Sequence, residues 1–473
     1  MAMFIGRMAR RAGVVMLALA TAAPAAADLS QPGPHGAGFR TVTVTRDPGL
    51  GTGTFTALLY YPATASGSEA PFDPAGGPYP AISFGHGFLQ QPTQYRDPMA
   101  HLATHGYFVI ASASETGLFP SHQQFANDLR SSLSWLEQQN ANQASPYFGT
   151  VNTSAFGLSG HSMGGGCSIV AAAADARVRA LAPLAPAETS VSAIGASASL
   201  ACPVVFICGT QDSIVPTANN GQRMYDAARP ARQLVSIVGG FHCGFTDSST
   251  FGCDSGGIPR AVQQAITRRL LVEWFDLYLK DGAAHWRPVW GPESASTKQV
   301  VRTADAGFAI TPAVQSVIGQ MQTLTAPFTL TTLASPARGF QFALDGQDRP
   351  AAPSPGSTPS LDKGQNFDGV VQWSAPPEAL TDELLITARS PVADGGDGGT
   401  RAWATITFEF TPPAPQCPGD ANGDGAVNAA DLSVLLGQFG TSVPPGSGAD
   451  FNGDGAVDGA DLSVLLGLFG TAC

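Results

Sequence analysis

Between about residues 40 and 285, short apolar runs alternate with longer stretches of helical periodicity, and that alternation leaves few architectures open. The runs are TFTALLYYP, PAISFG, YFVIASA, SAFGLSG, RALAPLA, PVVFICG and QLVSIVG. Between them lie stretches such as SHQQFANDLRSSLSWLEQQ and IPRAVQQAITRRLLVEWFDLYLK. The second puts Ala261, Ile266, Leu270, Leu271, Trp274 and Leu277 at helical spacing, which predicts a core-facing stripe. Strands separated by helices predict an α/β domain with a mostly parallel sheet.

A chain of 473 residues is too long for one ordinary domain. From 291 to 412 the pattern changes to FTLTTLA, GFQFALDG, GVVQWSA, ELLITARS and AWATITFEF, divided by Pro, Gly and Asp. That predicts a small antiparallel β-sandwich, immunoglobulin-like, acting as spacer or binding module. TPPAPQ at 411–416 reads as a stiff linker. The formal charge of -12 argues against nucleic acid as a partner.

Residues 1–27 have the layout of a secretory signal: Arg7, Arg10 and Arg11, then the apolar AGVVMLALA, then Ala25-Ala26-Ala27. The apolar run is well short of the roughly 20 residues that a span needs, and no later segment supplies one. A secreted, extracellular protein with no membrane span is expected. Export permits disulfides. Of the seven cysteines, Cys243 with Cys253 and Cys417 with Cys473 are the candidate pairs. Cys167, Cys202 and Cys208 sit in apolar runs and are expected as buried thiols.

The last segment, 417–473, is an internal repeat: DANGDGAVNAADLSVLLGQFG begins at Asp420 and DFNGDGAVDGADLSVLLGLFG at Asp450. Each has D-x-N-x-D-G with oxygen ligands at the offsets of a 12-residue calcium loop. Positions 1, 3, 5, 9 and 12 hold Asp420, Asn422, Asp424, Asn428 and Asp431 in the first copy. In the second they hold Asp450, Asn452, Asp454, Asp458 and Asp461, and the carbonyls of Ala426 and Ala456 serve position 7. A hard cation needs several oxygens converging from a short chain, which this alternation supplies. Two Ca2+ ions are expected here, and none for catalysis. These loop-helix pairs resemble dockerin type I modules. The resemblance implies calcium binding and a cohesin-like or cell-surface partner. It departs at the recognition pair, which is Ala429-Ala430 and Gly459-Ala460 here, and at Gly437 and Gly467, where a basic residue is usual.

GLSGHSMGGGCSIV, 157–170, places Ser162 where a strand turns directly into a helix. A G-x-S-x-G match alone is weak in a glycine-rich chain, but strand-turn-helix is the context of a nucleophile elbow. The Met163 N–H would then face an oxyanion at the helix start. The base should follow the serine in the chain, and only His242 and His285 do. His242 comes after the run QLVSIVGGF, whereas no strand precedes His285. Of Asp175, Glu188, Asp212 and Asp226, only Asp212 directly follows a buried run, at the carboxyl end where sites form in such sheets. Ser162, His242 and Asp212 are thus the expected nucleophile, base and orienting acid of an α/β-hydrolase fold over 28–290. The second oxyanion donor is expected at the Phe88 N–H, and His86, which precedes the serine, is given a structural role.

With these residues in place, 80–280 resemble the cutinase-like polyester hydrolases and, further off, chlorophyllase-type relatives. GHSMGGG, GTQDSIVP and FHCGF match the three catalytic segments, and GFLQQPTQYRDPMAHLATHGYFVIA the oxyanion segment. The resemblance implies hydrolysis of an ester or polyester substrate, with the Phe88 ring lining the acyl cleft. One departure is Ala187, which stands where polyester hydrolases carry a tryptophan that stacks on aromatic substrate. Aliphatic esters are therefore expected over aromatic ones. Two readings follow: a secreted serine carboxylic ester hydrolase, or an inactive extracellular binding or scaffold protein anchored by its tail.

Overall fold

The computed structural model describes residues 28–249, 252–280, 282, 285–295, 298–334, 336–346, 350–376, 379–394, 396–411 and 417–472. The signal-like segment 1–27 and most of the 411–416 linker lie outside them. The chain forms two compact units, Met1–Asp305 and Ala306–Cys473.

The first unit is built on one ten-stranded sheet. Its strands are β1 (Gly36–Thr45), β2 (Thr54–Ala63), β3 (Gly67–Ser68), β4 (Tyr79–Gly85), β5 (Phe108–Ser112), β6 (Val151–His161), β7 (Val178–Leu184), β8 (Val204–Gly209), β9 (Arg232–Ile237) and β10 (Val300–Asp305). Across the sheet the order is β10-β9-β8-β7-β6-β4-β5-β2-β1-β3. Strands β5, β4, β6, β7, β8 and β9 run parallel to one another. The pairs β1–β2, β2–β5 and β9–β10 are antiparallel. All seven apolar runs are strands, and the large, mostly parallel sheet is compatible with the expected α/β-hydrolase fold. Strands β4 and β8 are buried along their whole length, so they lack the apolar/polar alternation of a half-exposed strand.

The crossover helices include α1 (Arg96–Thr104), α2 (His122–Ala141), α3 (Met163–Ala173), α4 (Ala193–Ser197), α5 (Gly221–Ala227) and α6 (Arg260–Leu279). Ile266, Leu270, Leu271, Trp274 and Leu277 of α6 are buried as expected, but Ala261 is exposed. The buried face begins instead at Gln263, whose side chain accepts from the Phe241 N–H (3.0 Å) and donates to the Phe241 carbonyl (2.8 Å). That pair sets the rotation of the helix start.

The boundary placed at 290 is corrected by β10, which extends the first sheet to Asp305. An edge strand with Lys298, Arg302 and Asp305 in or beside it carries no apolar run to announce it. The remaining β-rich region forms two four-stranded sheets, consistent with a β-sandwich. One orders Phe308–Thr311, Thr323–Thr332, Asn366–Ser374 and Ala351–Ser354; the other Val314–Gly319, Arg401–Phe410, Leu380–Arg389 and Gln341–Asp345. One pairing, Val314–Gly319 with Arg401–Phe410, is parallel rather than antiparallel. Trp373 stacks on Phe408 inside the core, with ring centroids 5.3 Å apart.

In the tail, each loop leads into one helix, Ala429–Gln438 and Gly459–Leu468. The repeats share a small core of Val427, Leu435, Ala449, Val457 and Leu465.

Candidate active site

Ser162 sits between β6 and α3 with φ 56° and ψ -119°, a left-handed conformation that a side chain tolerates only where the surroundings impose it. Its N–H donates to the Leu184 carbonyl (3.0 Å), and its own carbonyl accepts from Gly166 (3.0 Å) and Ala187 (2.9 Å). Glycine is required beside it because the turn crosses the end of β4: a Cβ on Gly164 would lie 2.2 Å from the Gly85 carbonyl.

Asp212 follows β8 directly after a two-residue turn. One carboxylate oxygen accepts from the N–H groups of Ile214 (3.0 Å) and Val215 (2.7 Å), and the other lies 2.8 Å from His242 Nδ1. A carboxylate can only accept, so Nδ1 carries the proton and Nε2 is left free to act as a base. His242 opens a short 3-10 turn after β9. The ring of His161, the residue before the serine, lies 4.4 Å from the His242 ring. Burial, and then the nearby His242, push the His161 pKa well below its ordinary value, so it is a neutral partner.

Two polar side chains tie down the turn after β4. His86 is buried between the carbonyls of Gly87 and Ser114, both at 2.8 Å. Burial outweighs those acceptors and lowers its pKa, which fits the structural role expected of it. The Tyr95 hydroxyl receives the Gly87 N–H (3.0 Å), meets His161 Nδ1 (2.9 Å) and bonds to Gln90. Phe88, next to Gly87, is 48% exposed at the cleft.

Ser162 opens into a cleft of about 520 Å3 lined by Phe88, Met163 and Ala187 and by Leu118, Phe119 and Pro120. The last three, on the loop between β5 and α2, were not foreseen from sequence. Phe119 is 96% exposed and Leu118 67%, so the cleft carries an apolar rim open to solvent. His122 and Ser190, bonded to each other, add polar groups at one side. Cys243 and Cys253 form a disulfide, and Cys167, Cys202 and Cys208 are buried free thiols. Cys417 is disulfide-bonded too, but its expected partner Cys473 lies outside the described residues.

The tail offers hard oxygen donors. Carboxylate oxygens of Asp420, Asp424 and Asp431 lie within 4.8 Å of one another. The second loop repeats the arrangement of the first: Asp450 accepts from Gly453, Asp454 and Gly455, as Asp420 does from Gly423, Asp424 and Gly425. Asp461 accepts from Asn452 as Asp431 does from Asn422. Asn428 and Asp458 cap their helices by accepting from Ala430 and Ala460. Converging carboxylates on a preformed turn are a donor set that fits calcium.

Residues 20–260 match the model of the PET hydrolase-like family, and residues 418–467 that of the dockerin type I domain. Chlorophyllase-1 of Arabidopsis thaliana is 34% identical over 89 residues, which are 19% of this chain and 27% of that protein. The chain thus aligns with only about a quarter of that relative's length.

Proposed function

The chain belongs to the PET hydrolase-like family and carries a dockerin type I domain, and from that membership we propose that it is a secreted serine carboxylic ester hydrolase. The family match makes it a hydrolase of the ester-hydrolase type; the mechanism is our reading. Ser162 attacks the acyl carbon, and His242 takes its proton through Nε2. Asp212 holds the imidazole tautomer and stabilises the imidazolium. The N–H groups of Met163 and Phe88 receive the oxyanion; its collapse breaks the ester C–O bond, and the alcohol leaves with the proton that His242 gives it. His242 then takes a proton from water, which attacks the acyl-enzyme, and the carboxylic acid leaves as His242 returns that proton to Ser162 Oγ. What supports the reading is the strained turn at Ser162, together with a His242 ring that lies 4.4 Å from the ring of His161, the residue before the serine, and is bonded to a buried carboxylate at 2.8 Å.

The substrate reading is a short-to-medium aliphatic ester or aliphatic polyester. The cleft wall at Ala187 presents no aromatic face, while Phe88, Leu118 and Phe119 give a broad apolar rim. In the tail, Asp420, Asn422, Asp424, Asn428 and Asp431, with the Ala426 carbonyl, would hold one Ca2+. Asp450, Asn452, Asp454, Asp458 and Asp461, with the Ala456 carbonyl, would hold the second. The ions would neutralise rings of carboxylates that repel one another. The dockerin match supports a cohesin-like or cell-surface partner for the tail.

The test is turnover of a p-nitrophenyl ester panel by wild type, Ser162→Ala and His242→Ala, with fluorophosphonate labelling. Both variants should lose turnover by about 10^4-fold or more, since triad members act as a unit. Labelling should occur in wild type and be absent in Ser162→Ala. Near wild-type turnover in either variant would defeat the assignment, and an unlabelled, inactive wild type would favour the scaffold reading.

A further inference from the structure

A triad of this kind needs two loops to meet, the one after β8 that carries Asp212 and the one after β9 that carries His242. Their backbones converge on a side chain that belongs to neither. One oxygen of Asp254 accepts from the N–H groups of Ser213 (3.2 Å) and His242 (3.0 Å), and the other accepts from Cys243 (3.0 Å). Ser213 directly follows the acid, and Cys243 directly follows the base. One carboxylate therefore fixes the base's own backbone and the neighbour of each catalytic group. Ionised acceptors make hydrogen bonds roughly twice as strong as neutral ones, and here three act from one point.

The segment that delivers Asp254 is itself tethered to the base loop. Cys253, the residue before it, is bonded covalently to Cys243. Three residues further on, the Gly257 N–H donates to the Gly239 carbonyl at the end of the β9 turn (2.8 Å), and the Arg260 side chain donates to the Cys243 carbonyl (3.1 Å). The carboxylate is thus held on both sides by links to the loop that it braces.

We infer that Asp254 is a positioning residue, which keeps the acid and base loops in register so that His242 stays bonded to Asp212 while its other nitrogen faces Ser162. The inference rests on the triad reading above. Asp254 is not part of the cleft lining, so it has no role in holding the acyl group. Its loss should act on the chemical step and leave binding alone, because the cleft walls come from Phe88, Leu118, Phe119, Met163 and Ala187 on other segments. A merely structural brace would lower the melting temperature and leave kcat of the folded enzyme unchanged.

The experiment uses the full-length protein as Asp254→Ala and Asp254→Asn beside wild type and Ser162→Ala, with p-nitrophenyl butyrate as substrate. Melting curves define the folded fraction. Displacement of a catalytic group by about 1 Å can cost on the order of 100-fold, so kcat of Asp254→Ala should fall by roughly 30- to 100-fold with KM changed less than about twofold. Asp254→Asn keeps one acceptor oxygen and should lie between the two, at roughly a 10-fold loss. Folded Asp254→Ala with wild-type kcat would overturn the inference. Should that variant fail to fold, wild-type kcat in Asp254→Asn would do the same. Turnover surviving in Ser162→Ala would instead overturn the triad reading and the inference with it; a dead Ser162→Ala beside a fully active Asp254 variant removes this inference alone.

Discussion

Ala187 lines the cleft beside Ser162, and its backbone is fixed there. Its N–H donates to the Ser162 carbonyl (2.9 Å), and its carbonyl packs so closely on Gly166 that a Cβ at 166 would lie 2.2 Å away. Ala187→Trp therefore adds an indole without freeing the main chain, opposite the apolar surface of Phe88 and Met163. Stacking of an aromatic acyl group on that indole should contribute about 0.5–1.5 kcal/mol beyond the area it covers. Converted at about 1.4 kcal/mol per decade, this is a gain of roughly 2- to 13-fold in kcat/KM. A flexible caproyl chain gains the covered area alone, which both substrates share and which cancels in a ratio. The assay is the kcat/KM ratio of p-nitrophenyl benzoate to p-nitrophenyl caproate, before and after substitution. The ratio should rise within that range while the melting temperature holds. An unchanged or lower ratio in a folded variant would refute the reasoning. So would a wild-type enzyme that cleaves terephthalate esters as fast as caproate esters, because the missing aromatic face at 187 would then not limit aromatic acyl groups.

Gly164→Ala drives a Cβ into the Gly85 carbonyl, where backbone cannot yield as a side-chain tip would; melting should show a loss of about 1–3 kcal/mol or more, together with activity. Burial depresses the His101 pKa to about 4, so the folded state resists its protonation. The stability it contributes is complete above pH 6.5 and is lost as pH falls from there through about 4. His101→Gln, which keeps a donor for the Leu29 carbonyl, should flatten the stability-versus-pH profile over that window by about 1–2 kcal/mol after screening; an unchanged profile would deny the coupling. Calorimetry of the full chain should count two calcium ions, with the tighter site in the second loop. That loop has carboxylates at positions 1, 5, 9 and 12, whereas the first has Asn428 at position 9. Asp431→Ala and Asp461→Ala would each remove one site, and no heat in wild type would refute the assignment.

The three residues proposed as the triad share a property: each lies at or shortly after the end of a strand whose apolar run is visible. Ser162 follows β6, Asp212 follows β8 and His242 follows β9 after short turns, so local pattern places them at strand ends. Gln263 occupies an amphipathic helix where a glutamine reads as surface, yet it is fully buried because it satisfies both backbone groups of Phe241. Asp254 lies in a Gly- and Ser-rich loop, where nothing local distinguishes it from a solvated turn residue. Leu118 and Phe119 form no periodic pattern, and their part in the cleft comes from where α2 begins rather than from their own neighbours. Strand β10 has an alternating, half-exposed pattern and becomes a strand because β9 offers it an unpaired edge. Partners distant in sequence decide the cases of Gln263, Asp254 and β10.

These long-range polar contacts follow from what the loops at the sheet's carboxyl end require. Such loops bring many backbone N–H and C=O groups close to the core, and each one buried without a partner costs roughly 1–3 kcal/mol. His86 lies between the carbonyls of Gly87 and Ser114 and as a neutral ring donates to one of them, Tyr95 takes the Gly87 N–H, and Gln263 takes both groups of Phe241. Asp254 takes three N–H groups from the acid and base loops. With the loop backbones held by polar pins, their apolar side chains are not needed to anchor them. Phe88, Leu118, Phe119 and Ile214 remain substantially exposed on these loops, which a loop fastened by apolar packing could not leave free. On the proposed reading of an ester hydrolase with an apolar substrate, this division has a use: buried polar contacts would keep the proposed reacting groups in place, and the exposed apolar rim would be left to meet the acyl chain.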